Sequence, residues 1–245
     1  PLHFVSWHLY HDSPEKHAAC VRQIRKVLDG YPGRRPETLV TEWNSDLALK
    51  VSVAEQARDP RRAAIVAAAI LDMMEAGLDW SFYYHIWDQT CFHEDFEPFF
   101  SDNGVRLMTR HWNEIPHRLG LFGVGGEVRP QYFVYQMLAQ LGEARLPVEA
   151  PHGLRVLAGR CGHAVGVMIV NHNADEPQDR AANLTFRNLT PGVRTLTLRR
   201  VDGDARWCEE TLELEPVEQR AVSVSQTFNC HVYVPADSVA FVRLT

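Results

Sequence analysis

The sequence predicts an α/β unit followed by an all-β unit: the C-terminal part of a (β/α)8 barrel, with its last three strands, and then an antiparallel β-sandwich. Three observations carry this. Strand-like and helical patterns alternate from Leu2 to about Pro147, the order that favours parallel strands with helical crossovers. The strand ends near Tyr10, Glu42 and Asp88 lie 32 and 46 residues apart, about one βα unit each, the second enlarged by a loop. After Pro147, seven short runs rich in Val, Leu and Thr follow one another, broken by Gly, Pro, Asn and Asp, as in a sandwich. The expected division is therefore 1–147 and 148–245. A closed barrel typically takes about 250 residues, so about five βα units are expected upstream; a small open α/β sheet is the alternative.

Leu2 to Tyr10 reads as the first strand. Pro14 to Leu28 reads as a helix, because Ser13 can cap it, Pro14 suits its first turn, and Ala18, Val21, Ile24, Val27 and Leu28 recur on one face. Thr38 to Trp43 is the next strand, and Pro60 to Ala76 the next helix, ended by Gly77. Asp79 to Trp87, rich in aromatics, is the third strand. Thr90 to Glu127 reads as a long polar and aromatic loop, and Gln131 to Leu141 as the last helix of the unit. The sandwich runs are Leu154–Ala158, His163–Asn171, Ala182–Leu189, Val193–Val201, Arg220–Gln226, His231–Val234 and Ser238–Leu244.

Composition bounds the function. The 245 residues carry 25 Lys+Arg against 31 Asp+Glu, a formal charge of −6, which offers no global positive field for a phosphate backbone; nucleic acid is not an expected partner. No stretch approaches the roughly 18 apolar residues of a spanning helix, so no membrane is expected either. Cys20, Cys91, Cys161, Cys208 and Cys230 are scattered and lack a CxxC pair, against a disulfide framework or a structural zinc site. His93, His111 and His117 in the long loop lack metal-ligand spacing, and no cofactor is expected. No signal peptide is visible in Pro1 to Trp7, and the chain opens directly inside a strand, as though its natural start lay upstream.

The chemistry concentrates at three strand ends. Thr38-Leu39-Val40-Thr41-Glu42-Trp43-Asn44 places a carboxylate at the C-terminal end of an apolar parallel strand, where barrel active sites are built. A carboxylate there is suited to attack an anomeric carbon, given a second, protonated carboxyl about 5 to 5.5 Å away; a Glu that caps the strand or pairs with an Arg is the alternative. Alternation puts Ser6, His8 and Tyr10 on one side of the first strand, as hydrogen-bond donors for a carboxylate and sugar hydroxyls or as buried groups satisfied by backbone. Tyr84-His85-Ile86-Trp87-Asp88-Gln89 offers an aromatic platform with an acid and an amide. Arg58 to Arg62 reads as a solvated helix start, and the long loop as a specificity loop or lid.

Together these segments resemble glycoside hydrolase family 39, the retaining β-xylosidase and α-L-iduronidase family. The resemblance is carried by Phe4-Val5-Ser6-Trp7-His8-Leu9-Tyr10, by Val40-Thr41-Glu42-Trp43-Asn44, by Trp80 to Asp88, and by Arg129-Pro130-Gln131-Tyr132-Phe133-Val134-Tyr135-Gln136-Met137-Leu138. It implies that Glu42 is the nucleophile, that His8 and Tyr10 contact it and the sugar, and that Trp43 and Trp87 wall the pocket. It implies further that Asn44, Asp88 and Glu94 bind substrate. The family's acid/base lies in an Asn-Glu-Pro segment on an earlier strand. This chain has none; Asn113-Glu114-Ile115-Pro116 comes after the nucleophile in chain order. The acid/base is therefore expected on the missing N-terminal barrel segment, the partner this chain requires, and these residues alone are expected to be inactive. The expected substrate is a xylo-oligosaccharide. Rivals are an α-L-iduronidase-like or exopolysaccharide glycosidase, and a non-catalytic carbohydrate-binding or scaffold fragment.

Overall fold

A computed structural model describes residues 2–31, 33, 35–45, 58–114, 118–204 and 207–245. Ile115, Pro116 and His117 of the long loop lie outside the described residues. The first unit is built on β1 (Phe4–Tyr10), β2 (Glu37–Asn44) and β3 (Trp80–Tyr83). These pair in parallel in the order β1-β2-β3, so among the described residues the α/β unit is an open three-stranded sheet. Helices α1 (Pro14–Leu28), α2 (Arg61–Glu75), α3 (Asp102–Glu114) and α4 (Pro130–Leu141) follow in chain order.

Local chemistry explains each element. The Ser13 hydroxyl accepts the Lys16 N–H at the start of α1, with Pro14 in the first turn, and Ala18, Val21 and Leu28 are buried on its inner face. Helix α2 is apolar on nearly every side, with Ala63 to Leu71 buried without a break, because it packs against α1 and α4 and against strands of the second unit. The lower end of the parallel sheet is fastened by Asp79, which accepts Thr38 N–H (2.7 Å), Thr38 Oγ1 (3.0 Å) and the buried Arg25 guanidinium. Burial raises the Asp79 carboxyl, but the Thr38 bonds and Arg25 outweigh it and hold it below its ordinary value.

The second unit is a lopsided sandwich. Its strands are β4 (Ala144–Leu146), β5 (Arg155–Cys161), β6 (Ala164–Asn171), β7 (Arg180–Arg187), β8 (Gly192–Val201), β9 (Pro216–Val224), β10 (Thr227–Val234) and β11 (Ser238–Leu244). Six of them form one sheet in the order β4-β5-β6-β11-β8-β9, antiparallel throughout, and β10-β7 form the other. One face of the large sheet packs on the small one through Ile169, Ala240, Val242, Phe186 and Val232. The opposite face, through Met168, Val170, Val239 and Phe241, shares a single core with α2 and α4. Strand β4 joins this sheet directly after α4, so the sheet begins before Pro147.

Three expectations are corrected. The third strand ends at Tyr83 rather than Trp87, since the parallel ladder stops there and the chain continues through a cis Tyr84–His85 peptide. The segment Thr90–Glu127 is not a plain loop: it holds a 3-10 turn (His93–Asp95) and α3, whose Val105, Met108, Thr109 and Trp112 turn inward at helical spacing. Its stem is closed by Asn113, whose side chain accepts Cys91 N–H (2.8 Å) and donates to Cys91 O (2.9 Å). Nor is Arg58 to Arg62 wholly solvated, because Arg62 is buried and donates to Ser45 Oγ (2.6 Å) and Asn44 Oδ1 (3.3 Å).

Candidate active site

Among the described residues, helices cover one face of the three-stranded sheet. On β1, Val5, Trp7 and Leu9 are half-buried, whereas Phe4, Ser6 and His8 are exposed. On β2, Thr38 and Val40 are buried. Strict alternation would continue that buried face to Glu42. A bulge prevents it: Trp7 pairs with Val40 but His8 pairs with Glu42, so Thr41 is an extra residue in β2. The bulge moves Glu42 to the open face, opposite His8, and swings Trp43 to the helical face.

Glu42 is thereby gathered with the two β1 residues expected beside it. The Tyr10 hydroxyl donates to Glu42 Oε1, and His8 Nδ1 lies 3.7 Å from Glu42 Oε2. Burial, then the hydrogen bond to Glu42 and its negative charge, push the Tyr10 phenol well above its ordinary value. Tyr10 thus remains a protonated donor across the physiological range. Tyr84 completes the group. Its ring meets Tyr10 edge-on at 6.3 Å and stacks on His85 at 4.3 Å. Burial, followed by the Glu42 charge, raises its phenol too. The strand-end platform contained Tyr84, but nothing in its spacing distinguished it from its aromatic neighbours.

The remaining expected site residues separate. Trp43 is 1% exposed and sits in the core between His17 (5.4 Å) and Tyr83 (5.3 Å); the bulge is what turns it away from Glu42, so it does not wall the open face. Asn44 is fully buried and committed to protein partners: it donates to Tyr84 O and to Leu119 O (3.1 Å), and accepts from Ser45 N (2.7 Å) and Arg62. Asp88, 2% exposed, accepts Gly120 N–H (2.8 Å) and an Arg129 N–H (2.9 Å). Burial pushes its carboxyl up in spite of both. A side chain at Gly120 would meet Asp88 Oδ1 at 2.7 Å, so the close approach requires glycine there. Neither Asn44 nor Asp88 has a group left facing a substrate. Trp87, 50% exposed, stacks on Phe122 at 5.3 Å, and Glu94 is exposed in the His93–Asp95 turn. Glu114 is exposed and pairs with Arg110 (2.9 Å), a helix-end ion pair.

A carboxyl group at the end of a parallel strand, held by a phenol and flanked by an imidazole, has the placement of a nucleophile. Solved structures share the fold of this chain. The family 39 glycoside hydrolase from Xanthomonas axonopodis pv. citri matches all of this chain with a TM-score of 0.72 at 16% identity, over 55% of its own length. The fold is that of family 39 glycoside hydrolases. A glucosidase from Croceicoccus marinus matches with a TM-score of 0.71 at 17% identity, and a monomeric β-xylosidase from Caulobacter crescentus CB15 with 0.68 at 17%. Both are covered to a similar extent, 54% and 56%, by the whole of this chain. The chain therefore spans about half the length of the family 39 structures that it matches. No protein-family model matches the sequence, and no curated protein matches it.

Proposed function

We propose that this chain is part of a retaining exo-glycoside hydrolase of family 39, in which further βα units of the same protein close the three parallel strands into a (β/α)8 barrel. Glu42 is its nucleophile. The observation that carries this reading is the Tyr10–Glu42–His8 cluster at the C-terminal end of the central strand, on the sheet face that the helices leave uncovered. A general acid from outside this chain protonates the glycosidic oxygen. Glu42 attacks the anomeric carbon, the bond to the leaving group breaks, and a glycosyl ester forms. The former acid then takes a proton from water, which attacks the same carbon and returns Glu42 as a carboxylate with retained configuration. Tyr10 fixes the attacking carboxylate in one rotamer, and His8, exposed beside it, is placed to meet a sugar hydroxyl. Trp87 offers an open ring face to a pyranose, with Glu94 on the rim.

The preferred substrate is a terminal β-xyloside of a xylo-oligosaccharide, supported by the likeness to the Caulobacter β-xylosidase fold and by the family motifs around Glu42. The test is product stereochemistry on the longest natural form of the protein, followed by proton NMR on an aryl β-xyloside. The β-anomer of xylose forms first and the α-anomer later by mutarotation. Glu42→Gln lowers kcat/KM by about 10⁴-fold or more. Initial release of the α-anomer, or no turnover across a panel of aryl glycosides, contradicts the proposal.

A further inference from the structure

Asn44 stands two residues beyond Glu42, opposite Tyr10 in the β1–β2 register. What it grips matters because the backbone around Glu42 is secured on one side only. Strand β2 pairs with β3 at Leu39–Trp80 and Val40–Ser81, then only again at Trp43–Tyr83. Thr41 and Glu42 thus lie in a gap of the ladder. Beyond it, Tyr84 N–H donates to Trp43 O at 2.9 Å, and the next rung is made by a side chain: the Asn44 amide donates to Tyr84 O and to Leu119 O. Its carbonyl oxygen accepts from Ser45 N–H, Ser45 Oγ (3.2 Å) and Arg62 of α2. An amide with both donors and its acceptor engaged in a fully buried site can occupy one orientation only. The Tyr84 that it holds packs against Tyr10, and Tyr10 bonds Glu42.

We infer that Asn44 is a positioning residue: its side chain adds a rung to the β2–β3 ladder just beyond the gap at Thr41 and Glu42, and so fixes both the Glu42 backbone and the Tyr84 wall against which Tyr10 is aimed at Glu42. This rests on the reading of Glu42 as nucleophile for its catalytic consequence, but not for its structural one. Asn44 acts on the attacking carboxylate and touches no sugar, so its removal lowers kcat rather than raising KM. A displacement of about 1 Å at a reacting group costs on the order of 10²-fold in rate.

The experiment compares wild type with Asn44→Ala in the longest natural form of the protein, by two readouts. In the first, kcat for an aryl β-xyloside falls about 10- to 100-fold while KM stays within about two-fold; Ser45→Ala, which leaves the grip on Tyr84 and Leu119 intact, changes kcat less than about three-fold. In the second, the Tyr10 phenol is followed by ¹³Cζ NMR, with Tyr10→Phe assigning its signal. Tyr10 is faced by Glu42, Tyr84 and Tyr83. Loss of its bond to Glu42 lets its titration fall back toward the ordinary tyrosine value. An unchanged Tyr10 titration overturns the inference whether or not Glu42 is a nucleophile. A shifted titration in an enzyme that shows no turnover overturns the nucleophile reading alone. A third measurement covers a variant that does not fold: in wild type the Asn44 side-chain amide protons exchange at least about 100-fold more slowly than those of an exposed asparagine, and free exchange overturns the inference.

Discussion

The two large sheets of this molecule are built on opposite plans. The six-stranded sheet is covered on both faces, by α2 and α4 on one and by β7 and β10 on the other, and its central strands β6 and β11 are buried almost throughout: every residue of β11 except Arg243 is buried. Among the described residues, the three-stranded sheet is covered on one face. On the other it shows Phe4, Trp80 and Phe82 to solvent together with His8 and Glu42. The middle of a strand packed between two apolar layers needs apolar side chains on both sides, whereas the C-terminal end of a parallel strand can carry a carboxylate. A singly covered strand can spend one side on core and the other on chemistry. Among the described residues the buried apolar core therefore lies mainly in the sandwich and α2, and the candidate site on the face of the parallel sheet left open.

That contrast predicts unequal responses to the same type of truncation. Phe241→Ala, in the shared core, costs about 3 to 5 kcal/mol of unfolding free energy. Phe82→Ala, on the face left open by the described residues, costs less than about 0.5 kcal/mol in these 245 residues and more in the longest natural form, where the proposed barrel closes over it. Denaturant titration of both variants checks this, and equal losses would break the distinction between the two sheets.

A smaller effect sharpens the join between the units. Arg155 of β5 donates to both oxygens of Asp72 in α2 (2.7 and 2.9 Å), to Glu15 of α1 (2.6 Å) and to His172 O (2.8 Å). Arg155→Ala leaves Asp72 without this partner at a half-buried site and costs about 2 kcal/mol, allowing for its partial exposure. The loss is seen as a lowered thermal midpoint with α1, α2 and the sandwich still melting together.

The smallest effect lies at the foot of the parallel sheet. Asp79 is held below the ordinary carboxylate range in the folded state, so its contribution is present above the unfolded-state value and is lost as pH falls through the folded one. Asp79→Asn therefore lowers stability at neutral pH slightly and makes the acid limb of the stability profile shallower. A limb as steep as that of wild type would contradict the assignment.

How legible this was from sequence varied with the physics. The bounds of helix α1 were readable, because cap, proline and apolar period agree at Ser13, Pro14 and Val21, although Val27, expected on the inner face, is exposed. The seven sandwich runs were readable because each is short, β-branched and bounded by turn residues. Helix α3 was missed because its inward stripe, Val105, Met108, Thr109 and Trp112, is thin and broken by exposed Leu107. In the candidate site, the juxtaposition of Glu42, His8 and Tyr10 was legible from strand position and alternation. Trp43 was expected to wall the site, but a one-residue bulge at Thr41 turns it to the helical face, and nothing in the local sequence marks that bulge; Asn44 stays on the side of Glu42 and is buried instead by its bonds to Tyr84 O and Leu119 O. Asp88 was expected to bind substrate, and only the folded chain brings Gly120 and Arg129 to it across 32 and 41 residues.

The central claim is that Glu42 forms a covalent bond to the sugar. The direct measurement is intact mass and peptide mapping after incubation of the longest natural form with an activated 2-fluoro-xyloside, which slows release of the glycosyl ester. The account predicts one 2-fluoro-xylosyl group per chain, located on Glu42 and absent in Glu42→Gln. Labelling of another residue, or no labelling by this or by other activated 2-fluoro-glycosides in a protein that contains the complete barrel, would contradict it.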